Sequence, residues 1–252
     1  MPDITDRAPP EVAAGHALAV QQMFDRISPT YDLLNRVMSF GVDRRWRKRA
    51  LAVLASDLPP GPLLDLCAGT GDLSRALADM APERPVVAAD FSREMLGAGR
   101  AAGAFGSVPS DGGAAASVVG LTQADAMVLP FCDAAFAGAV CGFGIRNVED
   151  PEACMREVRR VLRPGGTFVV LEFLRPTRPW TYLFHAIYGR LVLPAAGAVI
   201  SGEAPAYRYL SRSMRGFMSR VECERAMVRA GFSDVRGQDL TLGIASLIWG
   251  VK

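Results

Sequence analysis

The sequence predicts a doubly wound α/β domain built on a mostly parallel sheet. Three observations predict it. Between Leu63 and Phe173, short apolar runs alternate with amphipathic helical stretches. A glycine turn, Gly69-Thr70-Gly71, falls where the first apolar run ends and the first of these helices opens. The run Thr167–Phe173 is apolar almost without interruption, as a strand covered on both faces must be.

The elements follow in order. Residues 1–17 place Pro2, Pro9 and Pro10 among small and charged residues and are expected to form a flexible tail. Residues 18–252 are expected to form one domain. Residues 18–55 carry a helical pattern, broken near Ser28-Pro29 and Ser39-Phe40-Gly41, and Pro59-Pro60-Gly61-Pro62 stops it. A strand is expected over Leu63–Cys67. The stretch Asp72–Met80 puts Leu73, Ala76, Leu77 and Met80 on one helical face. A strand over Val86–Asp90, a helix over Arg93–Ala104, and strands over Gly120–Ala124 and Ala137–Phe143 come next. A helix over Pro151–Leu162 should end at Arg163-Pro164-Gly165-Gly166, before the strand Thr167–Phe173. Two segments interrupt the alternation. Residues 106–117 read as a flexible surface loop, and 178–215 as a helical insert rich in aromatic residues and arginine. A helix over Val221–Ala230 stops at Gly231, and Val235–Leu240 with Ala245–Gly250 makes a hairpin-like antiparallel pair.

Bulk properties narrow the function. The chain has 252 residues, half of them hydrophobic, enough for one large folded domain. A net charge of +2 gives no reason to expect a nucleic-acid partner. The one basic cluster is Arg44, Arg45, Arg47, Lys48 and Arg49; it reads as a solvated helix face, with a phosphate- or membrane-facing role as the alternative. The five cysteines have no zinc-like spacing, so no metal site is expected and a reducing, cytoplasmic setting fits best. No signal-type segment opens the chain, and its longest charge-free apolar stretch, Leu191–Gly202, is too short to span a membrane.

In an open parallel sheet, ligands bind at the carboxyl ends of the strands. The loop Asp65-Leu66-Cys67-Ala68-Gly69-Thr70-Gly71-Asp72 lies at such an end. It lacks both the third glycine of a dinucleotide fingerprint and the Lys-Ser/Thr ending of a phosphate loop. That excludes a nicotinamide dehydrogenase and favours a cofactor without a pyrophosphate. Gly69 and Gly71 let backbone approach the ligand. Asp90 ends the second strand, 25 positions after Asp65, where it can accept both ribose hydroxyls. Its alternative role is helix capping together with Ser92. Phe91 can pack on an adenine, and Asp125-Ala126, after the third strand, can meet the adenine amino group. S-adenosyl-L-methionine satisfies all three positions. Asp65 can answer its ammonium or sulfonium, and Thr70 can bond its carboxylate.

Four blocks carry a further resemblance: Met23–Asn35 (MFDRISPTYDLLN) with Trp46-Arg47; the Asp65–Asp72 loop; Phe143-Gly144-Ile145-Arg146-Asn147-Val148; and Arg163–Gly166 through Leu171-Glu172-Phe173. From about Val20 to the end, the chain resembles the ubiquinone/menaquinone biosynthesis C-methyltransferases. The resemblance implies a class I methyltransferase fold: a Rossmann-like, mostly parallel seven-stranded sheet with helices on both faces, an N-terminal helical cover and a helical insert before the last strands. It implies cofactor contacts at Thr70, Asp90, Asp125 and Ala126. It places Gly142 where the family often has a serine, so one side-chain hydrogen bond is missing here. It also implies a prenylated quinol, either demethylmenaquinol or a polyprenyl benzoquinol, that gains a methyl group on a ring carbon.

That chemistry needs a phenolate and a positioned ring. Arg146 can stabilise the phenolate, its alternative being an ion pair with Glu149 or Asp150. Asn147 can orient a ring oxygen. Tyr31 is expected to cover the cofactor, and Asp25, Tyr31, Asp32 and Glu172 are the candidate bases. The insert from Trp180 to Ile200 is a candidate lid for the prenyl tail, with ordinary core or a dimer contact as alternatives and peripheral membrane contact as a corollary. Competing readings are a methyltransferase for another small molecule and a non-catalytic scaffold subunit.

Overall fold

The computed structural model describes residues 21–26, 28, 41–105, 119–182, 209 and 212–252. The expected tail, the 106–117 loop, most of the 178–215 insert, Tyr31 and Asp32 lie outside these residues. The elements are α1 (Asp43–Leu54), β1 (Leu63–Leu66), α2 (Asp72–Met80), β2 (Val86–Asp90), α3 (Arg93–Ala101), β3 (Val119–Gln123), β4 (Phe136–Gly142), α4 (Pro151–Val161), β5 (Leu162–Glu172), α5 (Arg220–Arg229), β6 (Ser233–Leu240) and β7 (Ala245–Val251). Residues 21–26 are also helical.

One seven-stranded sheet runs β3-β2-β1-β4-β5-β7-β6. Strands β1 to β5 pair in parallel, and β7 runs antiparallel to both β5 and β6. This is the class I methyltransferase sheet. Successive strand residues point to opposite faces, so each face has its own core. Leu64, Phe168 and Val170 meet Met155 and Val158 of α4 and Met227 of α5. Leu63, Val169 and Leu171 meet Leu54 of α1, Leu77 of α2 and Leu96 of α3 on the other face. Every residue of β1 is buried, which explains why Leu63-Leu64-Asp65-Leu66 shows no polar alternation. The chain leaves β1 toward β2 on one side, while β4 flanks β1 on the other. That switch in direction opens a cleft at the strands' carboxyl ends.

Local signals fix the helix starts. Ser92 caps α3 by accepting from the Met95 N–H, and Asp150 caps α4 by accepting from the Glu152 and Ala153 N–H groups. Ser219 and Glu222 form a capping box on α5. Two boundaries differ from the sequence expectation by three residues or more. Helix α3 stops at Ala101, because Gly103 turns the chain at φ +70°. Strand β5 starts at Leu162, directly after α4, because Leu162 pairs with Phe136 ahead of an irregularity. The Gly165-Gly166 turn therefore lies within the ladder, tied to the C-terminus by Gly165 N–H to Lys252 O and Lys252 N–H to Gly166 O.

Candidate functional site

A cavity of about 670 Å³ lies at the carboxyl ends of the central strands. Loop residues after β1, β2, β3 and β4 line it, with Gln21 and Phe24 of the N-terminal helical segment covering one side. Its size suits a nucleoside-sized ligand. Asp90, Asp125 and Glu149 line it, and no arginine or lysine does so among the described residues. Such a wall repels phosphates and suits a cation such as a sulfonium.

The β1 side is built by glycines and one buried acid. Gly69 lines the cavity, and its N–H donates to Asp90 Oδ2 at 2.8 Å. Gly71 has φ +85° and packs against Phe105, whose ring a Cβ would overlap. Gly71 and the buried Thr70 do not line the cavity. The loop thus uses Gly71 to pack the turn rather than to approach a ligand. Asp65 is 1% exposed, and its Oδ2 accepts from the Ser74 hydroxyl at 2.6 Å. Its Oδ1 is buried with no hydrogen-bond partner. Burial drives its pKa from 3.8 to about 7, against the opposing pull of the Ser74 bond and the Arg47 charge.

Asp90 receives two backbone donors, Gly69 N–H on Oδ2 and Ser92 N–H on Oδ1, each at 2.8 Å. Burial raises its pKa, and these bonds pull it back. The capping alternative falls to Ser92, so Asp90 orders the two loops and faces the cavity. Phe91 is 42% exposed on the rim. Asp125 Oδ1 accepts from the Met127 N–H at 2.8 Å, and Ala126 lines the cavity beside it. Asp25 is held by the Ser92 hydroxyl, next to Asp90, and is not part of the lining.

The β4 side is different. Gly142 lines the cavity, and a Cβ there would run into Leu73 Cδ1. Leu73 thus occupies the side of β4 from which a serine would project. Phe143 and Cys67 face the cavity with φ of +60° and +55°, a conformation that costs about 1–3 kcal/mol each for such residues. Phe143 stacks on Phe173, centroids 4.7 Å apart, and Trp46 lies edge-on to Phe173 at 5.9 Å.

Arg146 does not pair with Glu149 or Asp150. It pairs with Glu172, with side chains 4% and 0% exposed. Its Nη1 also donates to Phe143 O at 2.8 Å, while its Nε finds no partner. Glu172 further accepts from the Phe173 N–H at 2.7 Å. Glu172, a candidate base from sequence, is therefore committed to an ion pair behind the cavity wall. Burial raises its pKa, opposed by Arg146. Asn147 does line the cavity, and the Tyr209 hydroxyl donates to its Oδ1 at 3.3 Å.

Three features had no sequence signal: the Asp65–Ser74 bond, the Arg146–Glu172 partnership and the Tyr209–Asn147 contact. A fourth is Arg47, which turns inward while Arg44, Arg45, Lys48 and Arg49 are exposed. The basic cluster is a solvated face with one inward exception.

The residues present fit S-adenosyl-L-methionine. Asp90 ends β2 and Asp125 follows β3, a buried orphan carboxylate, Asp65, lies in β1, and no phosphate-binding set lines the cavity among the described residues. Fold and site together define an S-adenosyl-L-methionine-dependent methyltransferase. A Thermotoga maritima S-adenosylmethionine-dependent methyltransferase structure matches with a TM-score of 0.62 at 20% identity, covering 92% of this chain and 99% of that one. The sequence goes further: residues 12–252 match the model of the ubiE/COQ5 methyltransferase family, and the chain belongs to that family. It is 45% identical over 226 residues to the demethylmenaquinone methyltransferase of Thermus thermophilus, covering 89% of this chain and 97% of that protein. It is 43% identical over 230 residues to the ubiquinone/menaquinone biosynthesis C-methyltransferase UbiE of Syntrophotalea carbinolica, covering 91% and 92%.

Proposed function

We propose that this enzyme methylates a ring carbon of a prenylated quinol, with demethylmenaquinol as its first acceptor. The observation that carries the reading is that Asn147 lines the same cavity as Asp90 and Asp125. A group that can hold an aromatic oxygen thus shares one space with the cofactor acids. The name of the Thermus relative supports the naphthoquinol ring.

The cofactor, when bound, supplies a methyl group on a sulfonium. The chain's own residues do the rest. Asp90 accepts the ribose hydroxyls with the lone pairs its backbone donors leave free. Asp125 and Ala126 meet the adenine edge, and Phe91 packs against its face. Asp65 faces the amino acid end. Gly69 keeps the β1 loop close, and Thr70 and Gly71 shape that loop from behind. The backbone at Gly142 stands where a serine hydroxyl is absent. Asn147 orients the ring, and the Arg146 guanidinium favours the phenolate from behind the wall. Its pairing with Glu172 softens that field. The proton passes to a basic side chain; Glu149, two positions from Asn147 in the cavity lining, is the first candidate, ahead of the Asp25 carboxylate and the Tyr31 phenol.

Among the described residues no helix is long and apolar enough to cross a membrane. We take the enzyme to work in the cytoplasm, meeting its lipid-soluble acceptor by peripheral contact, as a monomer or a homodimer.

The test incubates purified enzyme with S-adenosyl-L-methionine and either reduced demethylmenaquinol or a reduced polyprenyl methoxybenzoquinol, followed by mass spectrometry. Methylated naphthoquinol is the expected product. Methylation of the benzoquinol alone reassigns the ring. Cofactor binding without methylation of either quinol points to another small-molecule acceptor, and no cofactor binding points to a scaffold subunit.

A further inference from the structure

We propose that Arg47 binds the carboxylate of the cofactor's amino acid end, with Asp65 opposite it taking the ammonium. This rests on the cofactor assignment and names a residue outside the loop motifs.

The sheet order sets the direction of the ligand. Asp125 follows β3 and Asp90 ends β2, so adenine and ribose occupy that side. The remaining part of the molecule must lie over β1 and β4, since the order is β3-β2-β1-β4. That end carries a zwitterion, one ammonium and one carboxylate. It needs one buried acceptor and one buried donor.

The structure has both, each with a vacancy. Asp65 Oδ1 is buried and accepts nothing. Arg47 Nε is buried and makes no hydrogen bond, its nearest acceptor being Asp43 Oδ2 at 3.5 Å. The Arg47 side chain is 13% exposed, held between Asp43 Oδ2 and Asp72 Oδ2, each at 3.5 Å. These are ion-pair rather than good hydrogen-bond distances, so donor capacity remains. Asp72 opens α2 immediately after the glycine loop. The guanidinium lies 5.6 Å from the ring centroid of Phe143, which lines the cavity. Its charge also reaches Asp65, where it opposes the effect of burial. Thr70, the carboxylate partner expected from sequence, is buried and, like Asp65 and Arg47, is not part of the cavity lining.

A guanidinium reads a carboxylate through paired N–H donors, which a single ammonium reproduces only in part. Titration calorimetry, run without quinol, should use three ligands: S-adenosyl-L-methionine, its decarboxylated form and methylthioadenosine. Wild type should prefer the intact cofactor to the decarboxylated form by about 10- to 100-fold, the range expected of a charged hydrogen bond. Arg47→Met should erase that preference and leave methylthioadenosine binding within about twofold, and Arg47→Lys should restore part of it. Equal binding of both forms by wild type overturns the proposal, even if Arg47→Met fails to fold. Parallel weakening of all three ligands in Arg47→Met also overturns it, because that marks a structural role. Failure of wild type to bind any of the three removes the cofactor assignment itself, and the proposal with it.

Discussion

The two halves of the cavity rim are built on different principles. The β1–β3 half uses single acids close to their own strand ends: backbone N–H groups steady two of them, Gly69 and Ser92 on Asp90 and Met127 on Asp125, and the Ser74 hydroxyl holds Asp65. The β4–β5 half uses side-chain pairs that join distant segments: Arg146 with Glu172, Asn147 with Tyr209. Backbone-steadied acids suit a cofactor whose polar edges never change. Side-chain pairs suit an acceptor whose ring must gain and lose charge, because a pair can redistribute charge without moving the sheet. The first half should therefore tolerate damage to the second.

Breaking the buried pair is the strongest way to test that separation. Glu172→Gln leaves Arg146 buried without a counter-charge, which costs about 3–5 kcal/mol in comparable buried pairs. Urea unfolding should report the loss as a lower midpoint. Cofactor affinity of the surviving folded fraction should stay within about twofold by calorimetry. Replacing both residues, as Arg146→Met with Glu172→Leu, should recover most of the stability and none of the turnover. An equal loss of cofactor affinity in Glu172→Gln would show that the halves are one unit.

The next effect is smaller and lies in the cofactor half. Asp65 titrates near 7 when folded and near 3.8 when unfolded. Between those values the folded chain holds a proton that the unfolded chain has lost. Stability is therefore fully present below pH 3.8 and falls as pH rises toward 7, by at most roughly 4 kcal/mol. Asp65→Asn keeps the Ser74 contact and removes the charge. Its melting temperature should match wild type near pH 4, exceed it increasingly up to pH 7, and hold that advantage above. A constant offset at every pH would mean that Asp65 is ionised in the fold. Saturating S-adenosyl-L-methionine should narrow the gap, because the ligand's ammonium favours the carboxylate.

The same division decides what the sequence made legible. Alternating apolar runs announced the sheet and nearly every strand, because each strand's burial is written in its own few residues. Asp90 and Asp125 could be read because a strand end is a local landmark. Gly69 and Gly71 could be read as a turn, but their separate tasks depend on Asp90, 21 positions on from Gly69, and on Phe105, 34 positions on from Gly71. Arg146 stood out as a charge beside an asparagine, yet its partner lies 26 positions on, across β4 and β5, while Glu149 and Asp150 were merely nearer in sequence. Arg47 was hidden among four exposed basic neighbours, since inward and outward positions on α1 differ only by the helical turn. Local propensity marks elements; it does not say which side chains those elements bring together.

Tyr209 offers the finest test of the contrast. Its hydroxyl donates to Asn147 Oδ1 at 3.3 Å across 62 positions of sequence. An amide held by its oxygen must present its NH2 elsewhere, so Asn147 can turn donors toward a ring oxygen in the cavity. Burial raises the pKa of Tyr209, which keeps the phenol protonated and donating through the neutral range. Tyr209→Phe removes one modest hydrogen bond, worth about 0.5–1.5 kcal/mol, so kcat/KM for the quinol should fall by about 2- to 12-fold. The KM for S-adenosyl-L-methionine should not move. Asn147→Asp reverses the sense of the amide, since a carboxylate offers no donor; it should lose far more, and adding Tyr209→Phe to it should cost little further. Additive losses in that double variant would mean that Tyr209 acts on the acceptor by itself rather than through Asn147.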